Sequence, residues 1–253
     1  MSKGIPLISS LQRTLTMLEA VIADGGERSV SAIAREAGIP VATAHRQVAT
    51  LVAEGYLASS GSYQHIAGPR LLSLLHRLDE KQVIANVAAP ILHKLASQVR
   101  SIVQLGTFEN DMVTYRIKTG QGASDMFTKV GMQLEAYCSG IGKVLLAHLP
   151  DDHLRSYLAN GPFVPLTDRT ITDPHRLAEE LKAVKDQGFA VDDGEIAEDL
   201  YCIAAPIHMA DGRVIAAISI SRNVAAMDEA REKRVRKLLF ETAHEIEQRV
   251  QSA

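Results

Sequence analysis

Ser29–Leu57, SVSAIAREAGIPVATAHRQVATLVAEGYL, decides how the N-terminal part of this chain folds. Val30, Ile33, Ala34 and Ala37 recur at i, i+3, i+4 and i+7, one face of a short helix. Ser29 or Ser31 can cap its start, and Gly38 can take the left-handed conformation that ends it. Pro40 suits the first turn of a second helix, where its missing N–H costs nothing. Val41, Ala44, Val48, Leu51 and Val52 form the expected buried stripe of that helix, which leaves Ala42, Thr43, His45, Arg46, Gln47 and Thr50 facing outward. Hydrogen-bonding side chains near a helix N-terminus are what reading base edges in a major groove requires. The pattern is a helix-turn-helix, with Thr43, His45, Arg46, Gln47 and Thr50 as candidate DNA contacts; a helical hairpin with a solvated face has the same spacing.

Outward from this stretch, Leu11, Leu15, Leu18 and Ile22 mark a preceding helix that Gly25-Gly26 ends, so three helices share a core. Residues 1–9 read as a flexible arm. Tyr56 and Leu57 begin a strand, Ser59-Ser60-Gly61-Ser62 is turn chemistry, and Tyr63–Ala67 returns to make a wing. Gly68-Pro69 then breaks the chain, closing a domain over residues 1–68. Leu71, Leu72, Leu74, Leu75 and Leu78 make a stripe too wide for one buried face. Residues 69–86 therefore read as a linker helix, packed on its own domain and a second protomer or simply in the core.

Residues 87–253 read as a separate domain. Pro90 is expected to open a helix with Ile91, Leu92, Leu95 and Val99 inward. Strands are expected near Ser101–Phe108, Met112–Lys118, Phe189–Asp192, Tyr201–Met209 and Arg213–Arg222, with Asp211-Gly212 a hairpin turn between the last two. Gly120–Gly131 reads as loop, Ser139–Leu149 and Pro174–Gln187 as helices, and a final helix as running from Asp228, its expected cap, through Ile246. Helices around a mainly antiparallel sheet make the fold class α+β.

Composition bounds the function. The 253 residues suffice for two modest domains and are 46% apolar and 23% charged, with net charge −3. Cys138 and Cys202 cannot make a disulfide framework, and no leader or apolar run of membrane length is expected, so a cytoplasmic protein without membrane partner is the reading. Lys3, Arg13, Arg28, Arg35 and Arg46 balance Glu19, Asp24, Glu27, Glu36 and Glu54 within residues 1–68, so DNA binding must come from several copies rather than from a general basic field. The histidines lack metal-ligand spacing; no metal, cofactor or catalytic residue is expected, and the protein is read as no enzyme.

The stretch IAREAGIPVATAHRQVATLVAEGYL resembles the DNA-binding domain of the IclR family of bacterial transcriptional regulators, in Ile33, Ala34, Gly38, Pro40, Thr43, Arg46, Thr50, Leu51, Gly55 and Tyr56. Ala42 stands where the family usually has Ser, and Val41 where a polar residue is common. In the wing, YQHIAGP implies either a register slip of about two residues or His65 in the place of the family's Tyr. CSGIGKVLLAHL and GFAVDDGEIAEDLYCIAAPI…DGRVIAAISIS are similar to the family's C-terminal motifs, so the likeness covers nearly the whole chain. It implies a winged helix-turn-helix, a linker helix and a GAF-like effector-binding domain, assembled as a homodimer or homotetramer on double-stranded operator DNA. It also implies an effector pocket built from Gly140, Ile141, Asp192, Cys202, Ser219 and Ser221, with Ala123, Met126, Leu134 and Leu200 as its apolar wall.

The residues themselves bear on that pocket. Ser219 and Ser221 alternate with Ile220, so both hydroxyls point to one face of a strand. Cys202 sits on the neighbouring hairpin strand, and the N–H groups of Gly140, Ile141 and Gly142 open a helix, a ready anion site. Asp192 can accept a bond from a ligand hydroxyl, water or the backbone. The expected function is a DNA-binding regulator switched by a small organic acid, controlling a catabolic operon. The alternative is a thiol enzyme or redox sensor using Cys202.

Overall fold

A computed structural model of the chain describes residues 6–61, 63–224 and 229–251. The chain forms two compact units, Met1–Asp79 and Glu80–Ala253. α1 (Ser9–Asp24), α2 (Val30–Glu36) and α3 (Val41–Ala53) are short amphipathic helices whose stability comes chiefly from packing on a shared core. That core is Met17, Val21, Val30, Ile33, Ala34, Ile39, Ala44, Val48, Leu51 and Leu57. Ser29 caps α2 by accepting from the Ala32 N–H, Gly38 takes φ +67 in the turn, and Pro40 is the cap of α3. Strands β1 (Leu57–Ser59) and β2 (His65–Ala67) pair antiparallel, with His65 opposite Ser59, and form the wing. Tyr63 lies before β2 and is exposed; Ser62 lies outside the described residues.

Two readings of this unit need correction. The buried face of α1 is Met17 and Val21, while Leu11, Leu15 and Ile22 are exposed. Of the expected stripe only Leu18 packs on the core, partly buried; the spacing marked a helix with two apolar stripes, and the core took mainly the other one. The leucines of residues 69–86 do not form one helix either. α4 (Pro69–Leu75) ends before α5 (Glu80–Val99) begins, and Leu72, Leu74, Leu75 and Leu78 are exposed.

In the second unit Pro90 lies inside α5 rather than at its start. Proline forfeits one helical hydrogen bond there, and the buried stripe Ile84, Ala85, Ala88, Ile91, Leu92, Leu95 and Val99 carries the helix through it. The sheet has the order β5-β4-β3-β8-β7-β6, all antiparallel: β3 (Ile102–Glu109), β4 (Met112–Thr119), β5 (Gln133–Glu135), β6 (Ala190–Asp193), β7 (Leu200–His208) and β8 (Val214–Asn223). Alternation divides its residues between two cores. Val103, Leu105, Ile203, Ala205, Ile218 and Ile220 pack with α5 and α9 (Glu229–Gln251). Val113, Tyr115, Ala204 and Ala217 pack on the other face with α6 (Gly140–Ala147) and α8 (Pro174–Gln187). α8 is bounded as its sequence dictates, by the Asp173 cap, Pro174 and left-handed Gly188. The short β5 and α7 (Asp151–Leu158) lack a strong sequence signal and were not anticipated. The expected Asp228 cap of α9 lies outside the described residues.

Candidate effector pocket and nucleic-acid interface

The α6 face of the sheet carries the polar side chains that sequence spacing placed there. Register sets Ser221 opposite Cys202 and Ile102, Ser219 opposite Ala204 and Gln104, and Asp192 opposite Cys202. A chain of hydrogen bonds follows across the strands. The Cys202 thiol donates to Ser221 Oγ at 3.1 Å, Ser221 to Gln104 Oε1 at 3.4 Å, and Gln104 Nε2 to Thr128 Oγ1 at 2.9 Å. Above them stands the start of α6. Gly142 donates to its cap Ser139 at 3.1 Å, so the free N–H groups at this helix end are those of Gly140 and Ile141, not three as expected. A side chain at position 140 would put its Cβ 3.3 Å from Ala204 Cβ and 3.7 Å from Cys202 Cβ. Even one Cβ there would have to push the helix start or β7 back by a few tenths of an ångström.

Asp192 has no exposed surface. Its Oδ1 accepts the N–H groups of Glu195 at 2.8 Å and Ile196 at 3.4 Å, and its Oδ2 has no partner. Burial, with the nearby Glu195 charge, pushes its carboxyl up to about 7 against the pull of those backbone N–H groups. Near neutrality it is thus partly a neutral acid with a proton to donate. One layer further, Lys143 Nζ pairs with Glu195 at 2.5 Å and Glu180 at 3.0 Å, its side chain 1% exposed. Burial pulls the Lys143 ammonium down, but these carboxylates outweigh it and hold the ammonium above its ordinary value.

Gly140, Ile141, Asp192, Cys202, Ser219, Met126 and Leu200 line one small inner pocket of about 10 Å³. Gln104, Tyr115, Phe127, Thr128, Ser139 and Ile196 line it too and were missed in the sequence, because nothing local marks an inward glutamine or tyrosine on a distant strand. Met126, Phe127 and Leu200 also line an outer cavity of about 600 Å³, where Ser221 is found. Ala123 and Leu134 line neither: Ala123 lies in a turn closed onto the Gly120 carbonyl, and Leu134 pairs with Val113 and packs beside the α6 core.

Cys202 is not placed for redox chemistry. Burial raises its thiol well above the ordinary value, and the Asp192 carboxylate adds to the rise, the opposite of what activates a thiol. Cys138 is buried, free and pushed up to about 12, chiefly by burial.

On α3, Arg46 and His45 are exposed, Thr43 is half-buried, and Thr50 is exposed with its hydroxyl donating to the Arg46 carbonyl at 2.9 Å. His45 Nε2 lies 3.0 Å from Ser31 Oγ on α2. Gln47 is the correction: it is 9% exposed and turned inward, its Nε2 donating to the Ser10 carbonyl at 3.4 Å. The actual buried stripe is Ala44, Gln47, Val48 and Leu51, an i, i+3, i+4, i+7 run that polarity concealed. Arg28 pairs with Asp24 at 2.5 Å and with Glu36, so it is tied into the fold, whereas no described carboxylate pairs with Arg46.

A winged helix-turn-helix followed by a sheet domain with a polar interior pocket defines a class, the DNA-binding transcriptional regulators. Within it, residues 10–61 match the IclR helix-turn-helix domain and residues 76–248 the bacterial transcriptional regulator IclR C-terminal domain, so the chain belongs to the IclR family. It is 32% identical over 219 residues to the Pca regulon regulatory protein of Pseudomonas putida, covering 86% of this chain and 75% of that one. The Agobacterium tumefaciens repressor BlcR superposes with a TM-score of 0.71 at 26% identity, over 95% of this chain and 96% of that one. An IclR homolog from Microbacterium hydrocarbonoxydans, complexed with 4-hydroxybenzoate, superposes with a TM-score of 0.62 at 28% identity, over 94% of this chain and 98% of that one. Among the described residues no helix is long and apolar enough to cross a membrane.

Proposed function

We propose that the protein controls a catabolic operon and that a monocarboxylic acid with a modest apolar or aromatic body switches its hold on DNA. The observation that carries this is the convergence of Ser219, Cys202, Asp192 and the start of α6 on one interior pocket, with Ser221 bonded to Cys202 and lining the adjoining outer cavity. These are neutral donors at neutral pH once Asp192 is protonated, so a carboxylate is held without a buried cationic side chain. Met126, Phe127 and Leu200 give the remainder of the ligand an apolar surface leading to the outer cavity. The 4-hydroxybenzoate complex of the Microbacterium relative supports an acid of this size.

Thr43, His45, Arg46 and Thr50 present α3 to the major groove, and the wing contacts the adjacent backbone. One DNA-binding unit has little net charge with which to hold DNA, so at least two copies act together as a homodimer or homotetramer. The exposed stripe Leu11, Leu15 and Ile22 on α1, with Leu72, Leu75 and Leu78, is the surface for that assembly. The acid works by differential affinity for two arrangements of paired DNA-binding units.

Calorimetry with 4-hydroxybenzoate and other monocarboxylates, on the parent and on the Ser219→Ala, Ser221→Ala double variant, tests the pocket. Binding is expected in the parent and abolished in the variant, with operator binding intact. Equal affinity in both would place the pocket elsewhere.

A further inference from the structure

A second recess, of about 330 Å³, opens where α5 ends, beside β8 and the first turns of α9. Arg100, Arg222, Arg231 and Arg234 line it over a floor of Val235 and Leu238, in a chain whose net charge is −3. Arg222 is half-buried, and its guanidinium is aimed by two neutral acceptors, Ser101 Oγ and the Val99 carbonyl. Among the described residues no carboxylate pairs with Arg100, Arg222 or Arg234. Four guanidinium groups around one recess repel one another.

The backbone adds an independent observation. Arg100 follows the last residue of α5 at φ +49. Helices commonly close on glycine at that point, because a Cβ is disfavoured in the left-handed region. The other described non-glycine residues with positive φ are Asn110 and Asp111, types that visit this region readily, so Arg100 stands apart. A strained arginine at the mouth of an arginine-lined recess points to use of its side chain.

We infer that this recess is an anion-binding site, distinct from the effector pocket, that takes a compact oxyanion of two or more negative charges, a phosphate or phosphate ester group. The guanidinium fork matches phosphate oxygens bidentately, and several forks around one group favour a multiply charged anion over a monocarboxylate. Burial depresses the Arg222 guanidinium below its ordinary value and the Arg231 charge adds to this; a bound anion relieves both. Arg100 and Arg222 also line the outer cavity of the effector pocket, so the two sites share side chains and each occupant alters the other's affinity.

Inorganic pyrophosphate and phosphate are the probes, titrated by calorimetry into the full chain at constant ionic strength. Saturable binding is expected, tighter for pyrophosphate. Arg234→Gln, which lies only on the recess, should weaken it at least tenfold and leave monocarboxylate binding unchanged. Arg100→Gly should raise the melting temperature by removing the left-handed arginine yet also weaken pyrophosphate; a merely structural Arg100 would leave the anion affinity alone. No saturable heat in the parent, or full affinity in both variants, overturns the site. Operator affinity lost in Arg234→Gln without pyrophosphate binding in the parent gives these arginines to DNA and overturns it equally. Failure of monocarboxylate binding in the parent bears on the effector pocket alone.

Discussion

The two units bury different things. The interior of the DNA-binding unit is dominated by Met17, Val21, Val30, Ile33, Ala34, Val48 and Leu57, with Gln47 turned in among them and the Asp24 side chain covered where it pairs with Arg28. The sensor unit buries Asp192, Lys143, Glu195, Gln104, Ser219, Ser221 and Thr128. A buried polar group left without a partner costs about 1–3 kcal/mol, so a fold keeps a concentration of them only where they serve something. The comparison says where to look for each function. The first unit does its work on its outer surface and can afford a plain core. The second carries its candidate pocket inside and is stabilised by apolar packing on the opposite face of the sheet.

The contrast breaks hardest at Lys143. Lys143→Ala strands the Glu195 carboxylate in the interior, its other oxygen already without a partner. Loss of one member of a buried pair costs about 3–5 kcal/mol. Chemical denaturation followed in the sensor unit should show a loss of that size; a change below about 1 kcal/mol would mean that water reaches Glu195 freely. A surface pair such as Lys237–Glu241 should give next to nothing when broken.

Asp192 sets a pH dependence on the same unit. Its folded value, about 7, lies above its unfolded value of 3.8, so the folded state binds the proton more tightly. Its contribution to stability is full below about pH 4 and is lost as pH rises through about 7, a swing of roughly a few kcal/mol. Asp192→Asn keeps the Oδ1 acceptor for Glu195 and should remove one proton from the slope between those limits, as thermal melts across the range would reveal. Monocarboxylate affinity should fall by about tenfold per unit above pH 7, as the donor proton leaves. An affinity flat from pH 6 to 9 would mean that Asp192 does not face the ligand's carboxylate.

How much of this could be read from the sequence follows the same division. Helix ends announced themselves in local chemistry: Ser29, Gly38, Asp173-Pro174 and Gly188 all sit where caps belong. The shared face of Ser219 and Ser221 was legible because strand alternation fixes it, and the Asp211-Gly212 hairpin put Cys202 on the neighbouring strand. Gln104, Tyr115 and Thr128 were not, since a pocket wall drawn from distant strands and loops leaves no periodic trace. Leu11, Leu15 and Ile22 misled for a related reason, as periodicity tells a stripe from a surface but not which stripe the core will take.

On the DNA-binding unit the expected effects belong to the surface. Arg46→Ala should leave the melting temperature unchanged, because its side chain is exposed and no described carboxylate pairs with it. Operator affinity in an anisotropy titration should fall by about 1–3 kcal/mol. An unaltered affinity would remove Arg46 from the interface.

The smallest effect belongs to Gln47, and it sharpens the contrast most because it tests a polar side chain inside the apolar stripe. Read as a helical wheel of polar and apolar letters, Gln47 belongs on the DNA-facing side. In the fold it sits at the i+3 position of the buried stripe, its Nε2 on the Ser10 carbonyl and its Oε1 buried without a partner. Gln47→Leu has nearly the same volume, discards the unsatisfied oxygen and adds apolar contact between α1 and α3, against the loss of one long hydrogen bond. Net, the DNA-binding unit should be as stable as the parent or gain up to about 1 kcal/mol. Operator affinity should not move, because the side chain is turned into the core. A Gln47→Leu protein that melts normally but loses operator binding would turn this side chain outward on DNA, and the plain-core reading of the first unit would fall with it.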